Sequence, residues 1–119
     1  MEEQLQEKAV LVGLNITTNV KKIDDIDINE SMAELKELVK AAGAEVLASV
    51  IQNKPARDAA YFIGKGKVEE IRDYCHMLGA TMIVFNDELS GAHMRNIEDV
   101  TGLKVIDRTA LILDIFAQR

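Results

Sequence analysis

Apolar and polar residues follow two rhythms along this chain, and the rhythm changes at glycines. Three times an amphipathic stretch with helical spacing runs up to a glycine (Gly43, Gly79 and Gly102) and is followed by a short, β-rich apolar run. In the first unit, Ser31 to Glu34 has the spacing of a capping box, and Met32, Leu35, Leu38, Val39 and Ala42 then recur on one helical face. Gly43 supplies a left-handed C-terminal cap, and the strand after it spans 45–52. The second helix is predicted from about Gly66 to Leu78, with Val68, Ile71, Cys75 and Leu78 inward, ahead of the apolar run 82–85. Ser90 can cap a third helix with Met94, Ile97 and Val100 inward, followed by a strand over 103–106.

Before these units, residues 9–14 read AVLVGL, a continuous apolar run suited to a strand covered on both faces. After them, Asp107 can cap a last helix carrying Leu111, Ile112, Ile115 and Phe116. Strands that alternate with helices imply parallel pairing through right-handed crossovers. The expected fold is therefore α/β: a single layered domain over residues 1–119, with about four mainly parallel strands and helices on both faces. Residues 61–63 are a candidate short edge strand folding back on the second strand through the turn at Lys54 and Pro55. The polar, acidic stretch 19–29 reads as a mobile surface connection.

Charge sharpens this outline in one place. The formal net charge is −6, yet residues 52–68 hold Lys54, Arg57, Lys65 and Lys67 against Asp58 alone. That stretch is a candidate anion-binding site within an otherwise acidic chain. The overall acidity argues against broad, non-specific coating of nucleic acid and leaves a localised contact open. No apolar run approaches the roughly 18 residues that a membrane span requires. The acidic start MEEQLQEK lacks the regions of a signal peptide, so cytoplasmic residence is expected. One cysteine precludes an intrachain disulfide, and no Cys/His metal-ligand set is present.

The segment IGKGKVEE, 63–70, does not have the GxxxxGK[ST] spacing of a nucleotide phosphate loop. It leaves a glycine-flexed turn, with Gly64 and Gly66 shaping it, whose amides and lysines could grip a phosphate at a helix N-terminus. The competing reading is a plain turn with solvated lysines, in which Glu69 and Glu70 offset the helix dipole. Asp87, Glu88 and Asp107 fall after predicted parallel strands, at the carboxyl edge where open α/β sheets bind ligands; Arg108 begins a helix beside them. These four residues form an alternative ligand edge, although helix capping and an ordinary connection also account for them. Cys75 lies on a buried stripe, and neither His76 nor His93 is paired with a nucleophile, so covalent catalysis has no support.

Three strings, YFIGKGKVEEI (61–71), FNDELSGAHMRNIE (85–98) and KVIDRTALILDIFAQR (104–119), together with Gly13 and AAGAEV (41–46), resemble the N-terminal domain of the HflX family of ribosome-associated GTPases. The resemblance spans nearly the whole chain. It implies that linker helices and a GTPase domain, which would handle GTP and magnesium, are absent from this chain. It also implies that the domain engages the large ribosomal subunit and its rRNA and promotes subunit dissociation. Its own GTPase domain would be a second partner. Residues 90–93, SGAH, depart from the family pattern, where many relatives have a proline and glutamines, so no contact is carried onto the third helix. The combined reading is an rRNA-binding and positioning module without catalysis or cofactor of its own, using Lys54, Arg57, Gly64, Lys65, Gly66 and Lys67. The alternative is a nucleotide- or small-molecule-binding regulatory domain acting on the GTPase through the edge at Asp87, Glu88, Asp107 and Arg108.

Overall fold

The structure is a computed structural model that describes residues 6–17 and 27–117. Most of the acidic connection expected to be mobile, the first residues of the chain and the side chain of Phe116 lie outside the described residues. The elements alternate as β1 (Lys8–Ile16), α1 (Ile28–Ala41), β2 (Glu45–Lys54), α2 (Lys65–Leu78), β3 (Met82–Phe85), α3 (Gly91–Thr101), β4 (Lys104–Asp107) and α4 (Arg108–Ala117). All pairings are parallel, and the sheet order is β2-β1-β3-β4. This is the layered α/β architecture that the alternating pattern predicts.

Burial follows from that order. β1 lies between two neighbours, and Ala9 to Val12 are fully buried, which is why its sequence is a continuous apolar run. Val10 and Val12 pack with Val68, Ile71, Cys75 and Ile97 beneath α2 and α3. Ala9 and Leu11 pack with Met32, Leu35, Val39 and Leu111 beneath α1 and α4. Each of the valine, leucine, isoleucine and methionine side chains among them contributes about 1.5–3 kcal/mol through removal from water. Gly13 sits where α1 crosses β1 closely: a Cβ there would come 2.6 Å from the Met32 sulfur.

Two local readings need correction. Helix α1 starts at Ile28 and is capped by Asp27, whose Oδ1 accepts from the Asn29 amide at 2.9 Å, not by Ser31. An aspartate one turn earlier supplies the cap, and the Ser31 hydroxyl is left free for partners outside the helix. Helix α2 runs from Lys65 to Leu78, as expected from a start at about Gly66. Residues 61–63 do not pair with β2; Phe62 instead forms an isolated antiparallel bridge with Asp58, closing a tight turn. Lys54 therefore ends β2 itself, and β2 remains an edge strand among the described residues. Its pairing with β1 contains one extra residue, Leu47, because Ala9 faces Val46 and Val10 faces Ala48.

The chain moves from β1 outward to β2, then crosses back to β3 on the other side of β1. The carboxyl ends of β1 and β3 thus flank the point where the winding reverses. The connections β2–α2 and β3–α3 both lie at this carboxyl edge, so the basic stretch and the acidic edge residues share one rim of the molecule.

Candidate anion-binding site

The connection from β2 to α2 is held by a few directed contacts. Asp58 Oδ2 accepts from the amides of Ala60 (3.0 Å) and Tyr61 (2.8 Å), and the Tyr61 amide is the main reason its carboxyl titrates below its ordinary value. Phe62 turns at φ +67°, a left-handed conformation that costs a side-chain-bearing residue about 1–2 kcal/mol. Burial of its ring, edge-on to Phe85 and to His93, offsets that strain. Helix α3 fastens the outer side of the loop. His93 Nδ1 accepts from the Ser90 amide, so Nε2 carries the proton and donates to the Ala59 carbonyl at 3.0 Å; Asn96 Nδ2 donates to the Ala60 carbonyl at 2.8 Å.

This scaffold delivers the start of α2. The Gly64 amide donates to Gln52 Oε1 at 2.9 Å and fixes the N-cap position, where no side chain caps the helix. The Val68 amide bonds back to Gly64, while the amides of Lys65, Gly66 and Lys67 have no partner among the described residues. No acidic residue occupies the first turn. A Cβ at Gly64 would lie 3.7 Å from Lys54 Nζ, so this ammonium stands directly beside the helix start. Lys65 is exposed, and Lys67 leans back to Glu70 at 3.1 Å. Three donors, the positive end of a 14-residue helix and the Lys54 ammonium therefore share one surface, with the exposed Lys65 as the first residue of the helix. Gly66 lies inside the first helical turn, and a Cβ there would meet nothing within 4 Å.

Arg57 stands apart from that group. Its guanidinium lies 5.6 Å above the Phe62 ring and lines a cleft of about 460 Å³ with Asp87, Glu88, Leu89, Ser90 and His93. One Asp87 carboxylate oxygen is buried with no partner among the described residues. Burial raises the Asp87 pKa, and the Leu14 amide and Arg57 only partly oppose it. Asp107 and Arg108 have other work. Asp107 accepts from the Leu89 and Ala110 amides, both at 2.9 Å, tying the β3–α3 connection to the start of α4. Arg108 reaches Asn86 Oδ1 at 3.1 Å and Glu34 Oε2 at 3.0 Å; the Ser31 hydroxyl accepts from Asn86 Nδ2 at 2.8 Å. The structure thus brings Lys54, Gly64, Lys65, Gly66 and Lys67 together and groups Arg57 with Asp87 and Glu88. Asp107 and Arg108 are set into the framework.

Sequence reasoning did not single out Gln52, His93 and Asn96, which set the loop's position. No pattern marks them, because each contact spans more than ten residues and depends on the tertiary fold. Burial pushes the Cys75 thiol up to about 11, in keeping with a packed, unreactive core residue. Among the described residues no group of three His, Cys, Asp or Glu side chains could hold a metal ion, and no helix is long and apolar enough to cross a membrane.

Comparison with known proteins places this geometry in a family. Residues 29–117 match the family described as GTP-binding GTPase N-terminal. The chain is 42% identical over 114 residues to GTPase HflX of Caldanaerobacter subterraneus, covering 96% of this chain and 25% of that protein. It is 44% identical to the Lacrimispora saccharolytica protein of the same name, covering 98% of this chain and 26% of that one. For the Escherichia coli K12 protein the figures are 42%, 95% and 25%. The chain therefore spans about a quarter of the length of the curated relatives it matches. A GTP-binding protein from Sulfolobus solfataricus, solved with GDP, shares the fold over 94% of this chain and 30% of its own, at a TM-score of 0.64 and 21% identity.

Proposed function

The chain belongs to the HflX family of GTPases, and from that premise we propose that it is the ribosome-binding and positioning module of such a protein. It grips rRNA phosphates of the large ribosomal subunit at the start of α2 and has no catalysis of its own. The observation that carries this reading is the uncapped N-terminus of α2, with free amides at 65–67 and the Lys54 ammonium beside Gly64. A phosphate would relieve two conditions there at once, unpartnered donors and clustered positive charge. Arg57, on the same loop but turned to the Asp87 cleft, would supply a separate phosphate contact. On this reading GTP and magnesium are handled by a GTPase domain outside the matched region, this module helps to separate the ribosomal subunits, and the protein resides in the cytoplasm with the ribosomes.

Co-sedimentation with separated ribosomal subunits at rising salt tests the proposal. With up to four phosphate contacts, log affinity for large subunits should fall with a slope of about −3 to −4 against log salt. Salt-independent binding would overturn it and point to an apolar or protein surface.

A second reading rests on the partnerless Asp87 oxygen and its cleft: a nucleotide or other small ligand bound there, regulating the GTPase. Calorimetry separates the two. GTP should show no saturable binding to this chain at submillimolar concentrations. Tight, magnesium-dependent ATP binding that is lost in Asp87→Ala would place the second reading first.

A further inference from the structure

β2 ends the sheet, and its outer side has no partner strand among the described residues. It is the longest strand, with ten residues, and contains no proline. Val46, Leu47, Ala48, Val50 and Ile51 are only half-buried. Beside it, Val50, Ile71 and Tyr74 line a groove of about 260 Å³ rimmed by Lys67 and Glu70. Tyr74 (37% exposed) and Met77 (72%) stand further along the same helix, and they are two of the four large apolar side chains exposed on the described molecule. An open strand edge flanked by apolar surface is a template for a further strand.

We infer that this edge pairs antiparallel with the β2 edge of a second copy of the chain, about a twofold axis at Val50. The register follows from the backbone. The Lys54 carbonyl accepts from Thr17 on the β1 side at 2.8 Å, so the alternation of the strand turns the N–H and C=O groups of Asn53, Ile51 and Ser49 outward. On the other flank of the bulge, the Glu45 amide points at Glu7 on the β1 side, which turns Val46 outward. Outward residues must face outward residues in an antiparallel ladder. A twofold axis at Val50 sets Ser49 opposite the second copy's Ile51. Because Leu47 is the extra residue of the bulge, Val46 then meets Asn53, and Glu45 meets Lys54.

The charges select this arrangement. Glu45 and Lys54 are the only charged residues on the strand, at opposite ends and of opposite sign. Antiparallel self-pairing forms two Glu45–Lys54 contacts, whereas parallel pairing in register would oppose like charges. Val50, at the axis, brings the two apolar grooves and both Tyr74 side chains together. The inference does not depend on the phosphate reading, although Lys54 takes part in both.

Sedimentation velocity of this chain from low micromolar to several hundred micromolar concentration is the test. A concentration-dependent dimer is expected. Ser49→Pro removes an outward N–H without touching a bond to β1 and should weaken the dimer at least about tenfold. Glu45→Lys or Lys54→Glu alone should weaken it by about tenfold, since each disrupts two pairs, and the double reversal should restore it. Thermal melts confirm that each variant is folded; if Ser49→Pro fails to fold, the charge reversals decide alone. A monomer at every concentration overturns the inference. So does a dimer indifferent to these substitutions, or a double reversal that restores nothing.

Discussion

At the β4 end of the sheet's carboxyl edge, polar groups complete one another; at the β2 end, they face outward. Asp107 has an amide on each oxygen, and Arg108 links α1 to β3 through Glu34 and Asn86. Across the same rim, three amides at the start of α2 lack partners and Lys54 stands beside them; between the two ends, just after β3, Asp87 keeps a buried, orphaned oxygen. Position at the edge of an α/β sheet therefore does not by itself mark a ligand site. What distinguishes the β2 end is how little the fold does there: every helix start leaves orphan amides, but at α2 no side chain caps them and no acidic residue occupies the first turn.

If that contrast is right, Asp107→Ala should cause the largest loss, about 3 kcal/mol in denaturant unfolding, by stranding two amides in a site that is 5% exposed. Arg108→Met should cost less, about 1–2 kcal/mol by the same measurement, since Glu34 is exposed and can return to water. Neither should change the salt slope of subunit binding. Lys65→Ala combined with Lys67→Ala should do the reverse. Removing cations from an uncapped helix start gains about 0.3–1 kcal/mol each at low salt, minus a small term for the Lys67–Glu70 pair, while the salt slope flattens by about 2. A double variant that melts several degrees lower and binds subunits normally would show that these lysines serve the fold.

Gly66→Ala sharpens the comparison at a single atom. With nothing near the new methyl group, unfolding should show a gain of about 0.5–1 kcal/mol, so a loss of subunit binding would mean that the partner's backbone approaches Gly66 closely. The smallest effect concerns Asp87. Burial holds its folded-state pKa above the unfolded value, so ionisation penalises the fold: no penalty below the unfolded value, a growing one as pH rises through the folded value, and the full one at neutral pH. Asp87→Asn should accordingly be more stable than the parent at neutral pH, with the gap closing as unfolding is followed into the ordinary carboxylate range.

Periodicity reported the framework because burial is what periodicity measures. The run AVLVGL announced a strand covered on both faces, and Val68, Ile71 and Cys75 announced the inner face of α2. Caps were legible when the signal was local, as at Ser90, and misread when two candidates lay within one turn, as with Asp27 and Ser31. The short segment 61–63 looked extended, but Asp58 captures the amides of Ala60 and Tyr61, and Phe62 finds a pocket between Phe85 and His93. Charge counting found the basic stretch. It could not separate Arg57, drawn to the Asp87 cleft, from Lys54 at the helix start, because that division is made by tertiary contacts with α3 and β2.

The place of β1 also bears on how the chain assembles. Among the four strands, β1 is made before the others yet is an interior strand of the sheet, and its second partner, β3, follows only after α1, β2 and α2 have been made, when Val10 meets Ile83. Parallel pairing over that separation is slow, since the intervening loop must close before the contact rewards it. Until then one edge of β1, with its long apolar run, is open, and a pause in synthesis before Met82 would leave a half-sheet with two sticky edges, β1 and β2, ready for the wrong neighbour.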